Sequence, residues 1–169
     1  MKKFTTLLLS SVLLVSLAAC ADAEKTSADA PDTTQASPEA PEADQAQTTQ
    51  KDAQSEVRRN QLNSDIRAKE QRNNAFNEGS AEGRDQGALA SEVRSKLEAN
   101  IPAGQLVIKG EDNGTIIVSG TVPTQQQLTK IEPLAKQIKG VKSVDVKATV
   151  APAQPESDNK NTNNNQKSQ

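Results

Sequence analysis

Asp112-Asn113-Gly114-Thr115-Ile116-Ile117-Val118-Ser119-Gly120-Thr121-Val122 decides the fold. The opening Asp-Asn-Gly is a strong hairpin signal, because Asn and Gly tolerate positive φ. Residues 115–122 are β-branched nearly throughout, with Ile116, Val118 and Val122 on one face of a strand. A hairpin needs a strand before its turn, and residues 105–109 supply one, with Leu106 and Ile108 on one side. Downstream, Pro123-Thr124 opens a helix with Thr124 as its N-cap. Leu128, Ile131, Leu134, Ala135 and Ile138 form its buried stripe, and Gly140 caps its end. Pro133 sits inside the stripe; its missing donor and its ring predict a kink there. Val144, Val146, Ala148 and Val150 then alternate with Ser143, Asp145, Lys147 and Thr149, the pattern of a half-buried strand. Upstream, Leu89, Val93 and Leu97 recur every four residues with Ala90 beside them, one face of a helix that Asn100 and Pro102 stop.

The order is helix–strand–strand–helix–strand over residues 86–150. Each strand has one apolar and one mostly polar face, so both helices should cover the same side of the sheet. The expected class is α+β: a two-layer αββαβ domain, two helices on one face of a three-stranded mixed sheet, flanked by long disordered segments. The hairpin strands are antiparallel, and a right-handed crossover makes the last strand parallel to its neighbour.

The flanks read differently. Residues 21–52 hold eight acidic residues and two lysines, a net charge of −6, with Pro31, Pro38 and Pro41 interrupting any helix. Residues 20–52 are therefore expected to be a solvated, disordered acidic tether that holds the domain away from whatever anchors it. Residues 53–85 form a partly helical linker. Within 53–78 the aliphatics Val57, Leu62 and Ile66 are too sparse for a sustained stripe, and this segment could dock a partner. Gly79, Gly83 and Gly87 mark a flexible joint. Residues 151–169, rich in Asn, Gln and Lys, are a disordered tail.

The N-terminus carries targeting information. Lys2 and Lys3 precede an apolar stretch over residues 7–17, too short for a membrane span and trailed by small residues. Leu17-Ala18-Ala19-Cys20 resembles a lipobox, the cleavage and lipidation signal of bacterial lipoproteins. Residues 1–19 are then a lipoprotein signal peptide, and Cys20, the one cysteine of the chain, is the lipidation site. Its acyl chains would anchor the protein stably. By resemblance to sorting in two-membrane bacteria, Ala21 in place of Asp points to the outer membrane facing the periplasm.

Several chemistries lose their residues. The 169-residue chain has no His, Trp or Tyr. Without His the commonest general base and most zinc sites are gone, so no catalytic residue, metal ligand or cofactor is expected. No phosphate-cradling glycine loop comes after a strand. Nucleic-acid binding lacks both aromatic stacking and strong basic charge. Residues 86–150 carry eight Lys/Arg against six Asp/Glu, a net +2 beside the acidic tether. Lys136, Lys139 and Lys142 cluster around the end of the second helix and are the candidate lipid contacts.

These residues carry a family resemblance. The run from Gly114 to Val122, then a helix, then Ile138-Lys139-Gly140-Val141-Lys142-Ser143-Val144, resembles a BON domain, the family named for bacterial osmotically induced and nodulation proteins. The resemblance implies an αββαβ fold in the bacterial envelope and a role at phospholipid surfaces, sometimes in osmotic or envelope stress. Many members carry paired domains; this chain carries one. Gly114, Gly120, Gly140 and Val141 are read as structural motif residues. Gly120, on the inward face of its strand, is expected to let a helix approach.

Two functions are expected. One is a membrane-anchored envelope lipoprotein whose domain binds phospholipid and does no enzymatic chemistry. The other is a protein-binding adaptor or scaffold in the envelope, docking a partner through residues 53–78 or through an open sheet face bearing Val107, Thr115, Ile117 and Thr121.

Overall fold

A computed structural model describes residues 23–36 and 39–154. The signal segment, Cys20 and residues 155–169 lie outside the described residues. The elements are β1 (Glu24–Lys25), α1 (Ala43–Gln54), α2 (Glu56–Phe76), α3 (Gln86–Asn100), β2 (Gln105–Glu111), a 3₁₀ turn (Asp112–Gly114), β3 (Thr115–Val122), α4 (Gln125–Leu128), α5 (Ile131–Ala135), β4 (Ser143–Val146) and β5 (Thr149–Val150). The class is α+β, as the sequence pattern implies.

The hairpin forms as expected. β2 and β3 pair antiparallel from Gln105↔Thr121 to Glu111↔Thr115. The turn uses positive φ at Asn113 (61°) and Gly114 (75°). β4 and β5 both pair parallel to β3. The core lies between this sheet and the helices. Leu89, Val93 and Leu97 of α3 meet Leu106, Ile108, Ile116, Val118 and Val122 of the sheet, with Ile131 and Ala135 of α5 closing one side. Each large aliphatic so buried contributes about 1.5–3 kcal/mol.

The second helix is divided. Its expected kink at Pro133 is a break into α4 and α5 across Thr129-Lys130. The proline ring excludes the carbonyl four residues back, that of Thr129, so the chain breaks there. Pro133 then falls in the first turn of α5, where a missing N–H leaves no helical bond unmade.

The last strand is divided as well. Val118 pairs with Val146 and Thr121 with Thr149, so the register runs unbroken past Gly120. The ladder nonetheless lapses at Lys147-Ala148. Gly120 has φ +111°, and this twist of β3 falls opposite the gap. A Cβ on Gly120 would strike the Gln105 carbonyl and the Leu106 backbone. The glycine therefore admits the neighbouring strand, which corrects the expectation that it admits a helix.

The sheet's outer face is covered over much of its length, although Thr115 and Ile117 at the hairpin end stay half-exposed. Val107 is 0 % exposed, Ser119 3 % and Thr121 2 %. Residues 24–36 cover them. β1 extends the sheet antiparallel along β2, with Glu24 opposite Ile108 and Lys25 opposite Val107. The Thr26 hydroxyl donates to the Gly104 carbonyl at 2.8 Å and accepts from the Leu106 amide at 2.9 Å. The Ser119 hydroxyl donates to the Thr34 carbonyl at 2.9 Å. Two expectations are corrected at once: the sheet has five strands rather than three, and residues 24–36 and 43–52 of the acidic tether are folded. The composition argument fails because the segment needs no core of its own. It completes a half-made edge strand and shields Val107.

α2 is a full 21-residue helix rather than a partly formed linker. It docks on α3 of the same chain through Leu62, 0 % exposed. Arg58 pairs with Glu98 at 2.5 Å, and Arg94 with Glu98 at 2.9 Å. α3 is thus buried on both faces, its second face lined by Ser91, Glu92, Ser95 and Glu98. The expected disordered tail begins with an ordered stretch: the Gln154 amide donates to the Pro41 carbonyl at 2.8 Å. Among the described residues no helix is long and apolar enough to cross a membrane.

Candidate functional site

The motif residues meet at the hairpin end of the sheet. The Gly114 carbonyl accepts from the Lys142 amide at 2.8 Å. A Cβ on Gly114 would collide with the Gly140 carbonyl, so the hairpin turn and the loop after α5 touch backbone to backbone. Gly140 backs onto the joint before α3, where a Cβ would stand 2.7 Å from Arg84 Cδ. Val141 packs half-buried against the core. Gly114, Gly140 and Val141 therefore hold three segments together, and each has a packing reason to be what it is.

Arg84 is the side chain that locks this junction. One guanidinium nitrogen donates to the Lys139 carbonyl at 2.5 Å, and another meets the Glu92 carboxylate at 2.5 Å. The Arg84 side chain is 2 % exposed and that of Glu92 0 %. Burial pushes the Glu92 carboxyl above its ordinary pKa, and the Arg84 hydrogen bond opposes the shift. On the far half of α3, Glu98 raises the Arg58 pKa, chiefly by accepting its hydrogen bond.

Two grooves open beside the junction. One, of about 380 Å³, is lined by Glu82, Arg84, Asn113, Gly114, Gly140 and Lys142 among others. The other, of about 390 Å³, lies between α2 and the start of α3, lined by Lys69, Arg72, Phe76, Arg84 and Ala88. Gly83 and Arg84 belong to both.

The three lysines separate. Lys139 lies at the junction and has no carboxylate within 4 Å among the described residues. Lys142 lines the first groove, 3.6 Å from Glu82. Lys136 stands apart as the C-cap of α5, paired with Glu132 at 2.6 Å. Cys20 lies outside the described residues. Among those residues no three His, Cys, Asp or Glu gather to hold a metal ion. The two grooves offer cations, the carboxylates of Glu82, Asp85 and Asp112, backbone polar groups and one exposed aromatic, a set suited to non-covalent contact with polar groups.

Sequence reasoning missed Arg84, Glu92, Arg58 and Glu98. The one signal for the α3 pair was the small polar stripe Ser91-Ser95 beside Glu92 and Glu98, a second face narrow enough to be covered by another helix. Phe76 lies at the end of α2 and is 87 % exposed.

Comparison with known proteins agrees with this architecture. No curated protein and no solved structure matches the chain significantly. The family model for the BON domain matches residues 85–152, which span α3 to β5 and leave α1 and α2 outside. Residues 85–152, which fold in the αββαβ order, are therefore a BON domain.

Proposed function

We propose that the chain is an envelope lipoprotein, acylated at Cys20, whose BON domain binds the surface of anionic phospholipid bilayers and is not an enzyme. The observation that carries this is the BON match over residues 85–152, because the family is associated with phospholipid and the cell envelope. The lipobox-like Leu17-Ala18-Ala19-Cys20 supports the anchor, and Ala21 supports delivery to the outer membrane, facing the periplasm. Service in osmotic or envelope stress belongs to the same family reading.

Lys139 and Lys142 support the lipid contact. A lysine close to an anionic surface contributes on the order of 1 kcal/mol. Binding by the domain alone is therefore weak and salt-sensitive, and the acyl chains supply its residence at the membrane. The adaptor reading has less free surface to use, since Leu62 of α2 docks on α3 and Val107 and Thr121 of the outer sheet face are buried within the chain, while Thr115 and Ile117 stay half-exposed.

The test has two parts. Mass spectrometry of the protein from growing cells should find acyl groups on Cys20, and Cys20→Ala should release the chain from membranes. The unacylated chain, residues 21–169, should float with anionic vesicles. An acyl-free cytosolic protein that ignores vesicles would contradict the proposal.

A further inference from the structure

We infer that the hairpin end of the domain faces the bilayer, with Phe76 and Lys139 as its contact and the exit from β1 toward Cys20 on the same side. This rests on the proposed acylation and lipid binding, and adds which surface meets the lipid.

The direction of that exit follows from β1. Its antiparallel register, Glu24 opposite Ile108 and Lys25 opposite Val107, means that stepping back from Glu24 runs toward Lys109 and the hairpin turn. From Cys20 to Glu24 the chain reaches at most about 14 Å when fully extended. An acylated Cys20 lies at the lipid surface, so the start of β1 must lie close to it. The acidic segment that composition assigns to a long tether is instead folded over the sheet.

Four other segments end at the same place. The Gln86 side chain at the start of α3 donates to Asp112 in the hairpin turn. The loop after α5 bonds to Gly114. The turn after α2 comes close as well, since a Cβ on Gly79 would lie 3.8 Å from Lys139 Nζ. The two grooves join through Gly83 and Arg84. Phe76, Lys139, the hairpin and the exit toward Cys20 thus share one end.

The chemistry of that end suits a phospholipid headgroup layer. Phe76 is the one aromatic among the described residues and is 87 % exposed. Aromatic rings concentrate at the bilayer interface. Lys69 and Arg72 line the groove with Phe76 at helical spacing along α2. With Lys139, they have no carboxylate within 4 Å among the described residues, whereas Lys109 and Lys142 are paired with Glu111 and Glu82. Val57, the other large apolar residue that α2 leaves bare, lies at its opposite end, about 28 Å away by helical rise.

The chain contains no tryptophan, so Phe76→Trp and Val57→Trp each install a single fluorophore at a site too exposed to disturb the fold. Each acylated full-length variant is reconstituted into anionic vesicles containing brominated phospholipid. Phe76→Trp should shift to the blue and lose most of its emission, while Val57→Trp should do neither. Quenching at Val57→Trp alone, at both sites equally, or at neither while the acylated protein floats with the vesicles would overturn the orientation and leave membrane attachment standing. A protein with no acyl group that does not float would overturn the proposed function, and the orientation with it.

Discussion

The Arg84 guanidinium meets the Glu92 carboxylate at 2.5 Å, with the two side chains 2 % and 0 % exposed, and the same guanidinium holds the Lys139 carbonyl. A buried pair of this kind gains little over an apolar substitute, because desolvating both charges offsets their attraction. Its effect is positional: it fixes the joint before α3 to the loop after α5.

Breaking the pair from one side should be costly. Arg84→Met strands the Glu92 carboxylate in the interior, and the expected loss is about 3–5 kcal/mol. The double variant Arg84→Met/Glu92→Leu should recover most of it. Urea unfolding of the three proteins checks both statements, and a double variant no more stable than Arg84→Met would contradict them.

Glu92 should also give stability a pH dependence. Its folded pKa is raised above the ordinary 4.5, chiefly by burial. The folded state then holds the proton more tightly than the unfolded chain. The contribution is fully present below the ordinary carboxylate value and is lost as pH rises through the raised one. The stability of the natural protein relative to Glu92→Gln should therefore fall as pH rises from about 4.5. A difference that stays constant or grows would contradict this sign.

α2 should report its own docking. Leu62 is 0 % exposed and Val57 80 %. Leu62→Ala should cost about 2–5 kcal/mol by leaving a cavity. Val57→Ala should change stability by less than about 0.5 kcal/mol. Equal effects in thermal unfolding would mean that α2 is not packed on α3.

The junction between edge strand β1 and the segment that follows it depends on Thr26. Its hydroxyl serves the Gly104 carbonyl and the Leu106 amide, both buried. Thr26→Val keeps the shape and leaves the Leu106 N–H without that partner, at an expected cost of about 1–3 kcal/mol. Faster amide hydrogen exchange at Val107 and Ser119 should accompany it.

Sequence pattern revealed the central fold because each signal there was local. Asn113-Gly114 marked the turn, and alternation from Val144 to Val150 marked the last strand. The four-residue spacing of Leu89, Val93 and Leu97 marked α3. The hidden part was tertiary. Thr26 and Thr34 look like solvated linker residues until the sheet face at Ser119 and Val107 needs a cover. Leu62 is one leucine in a polar helix, and only the polar stripe of α3 gives it a place to bury. Pro133 announced a disturbance but not where the chain would yield, since the steric conflict falls on Thr129. Gly114 and Gly140 were legible as turn and cap, yet their contact joins residues 26 positions apart and no periodicity encodes it. Lys136, Lys139 and Lys142 looked equivalent in sequence; partner carboxylates make them different.

The decisive measurement is flotation of the unacylated chain, residues 21–169, with phosphatidylglycerol vesicles against phosphatidylcholine vesicles. The expected result is binding to the anionic vesicles alone, weakening as salt is raised, and reduced more by Lys139→Glu than by Lys136→Glu, whose lysine is already paired with Glu132. Absence of flotation with either vesicle, or binding indifferent to salt and to reversal of Lys139, would contradict a phospholipid-binding domain.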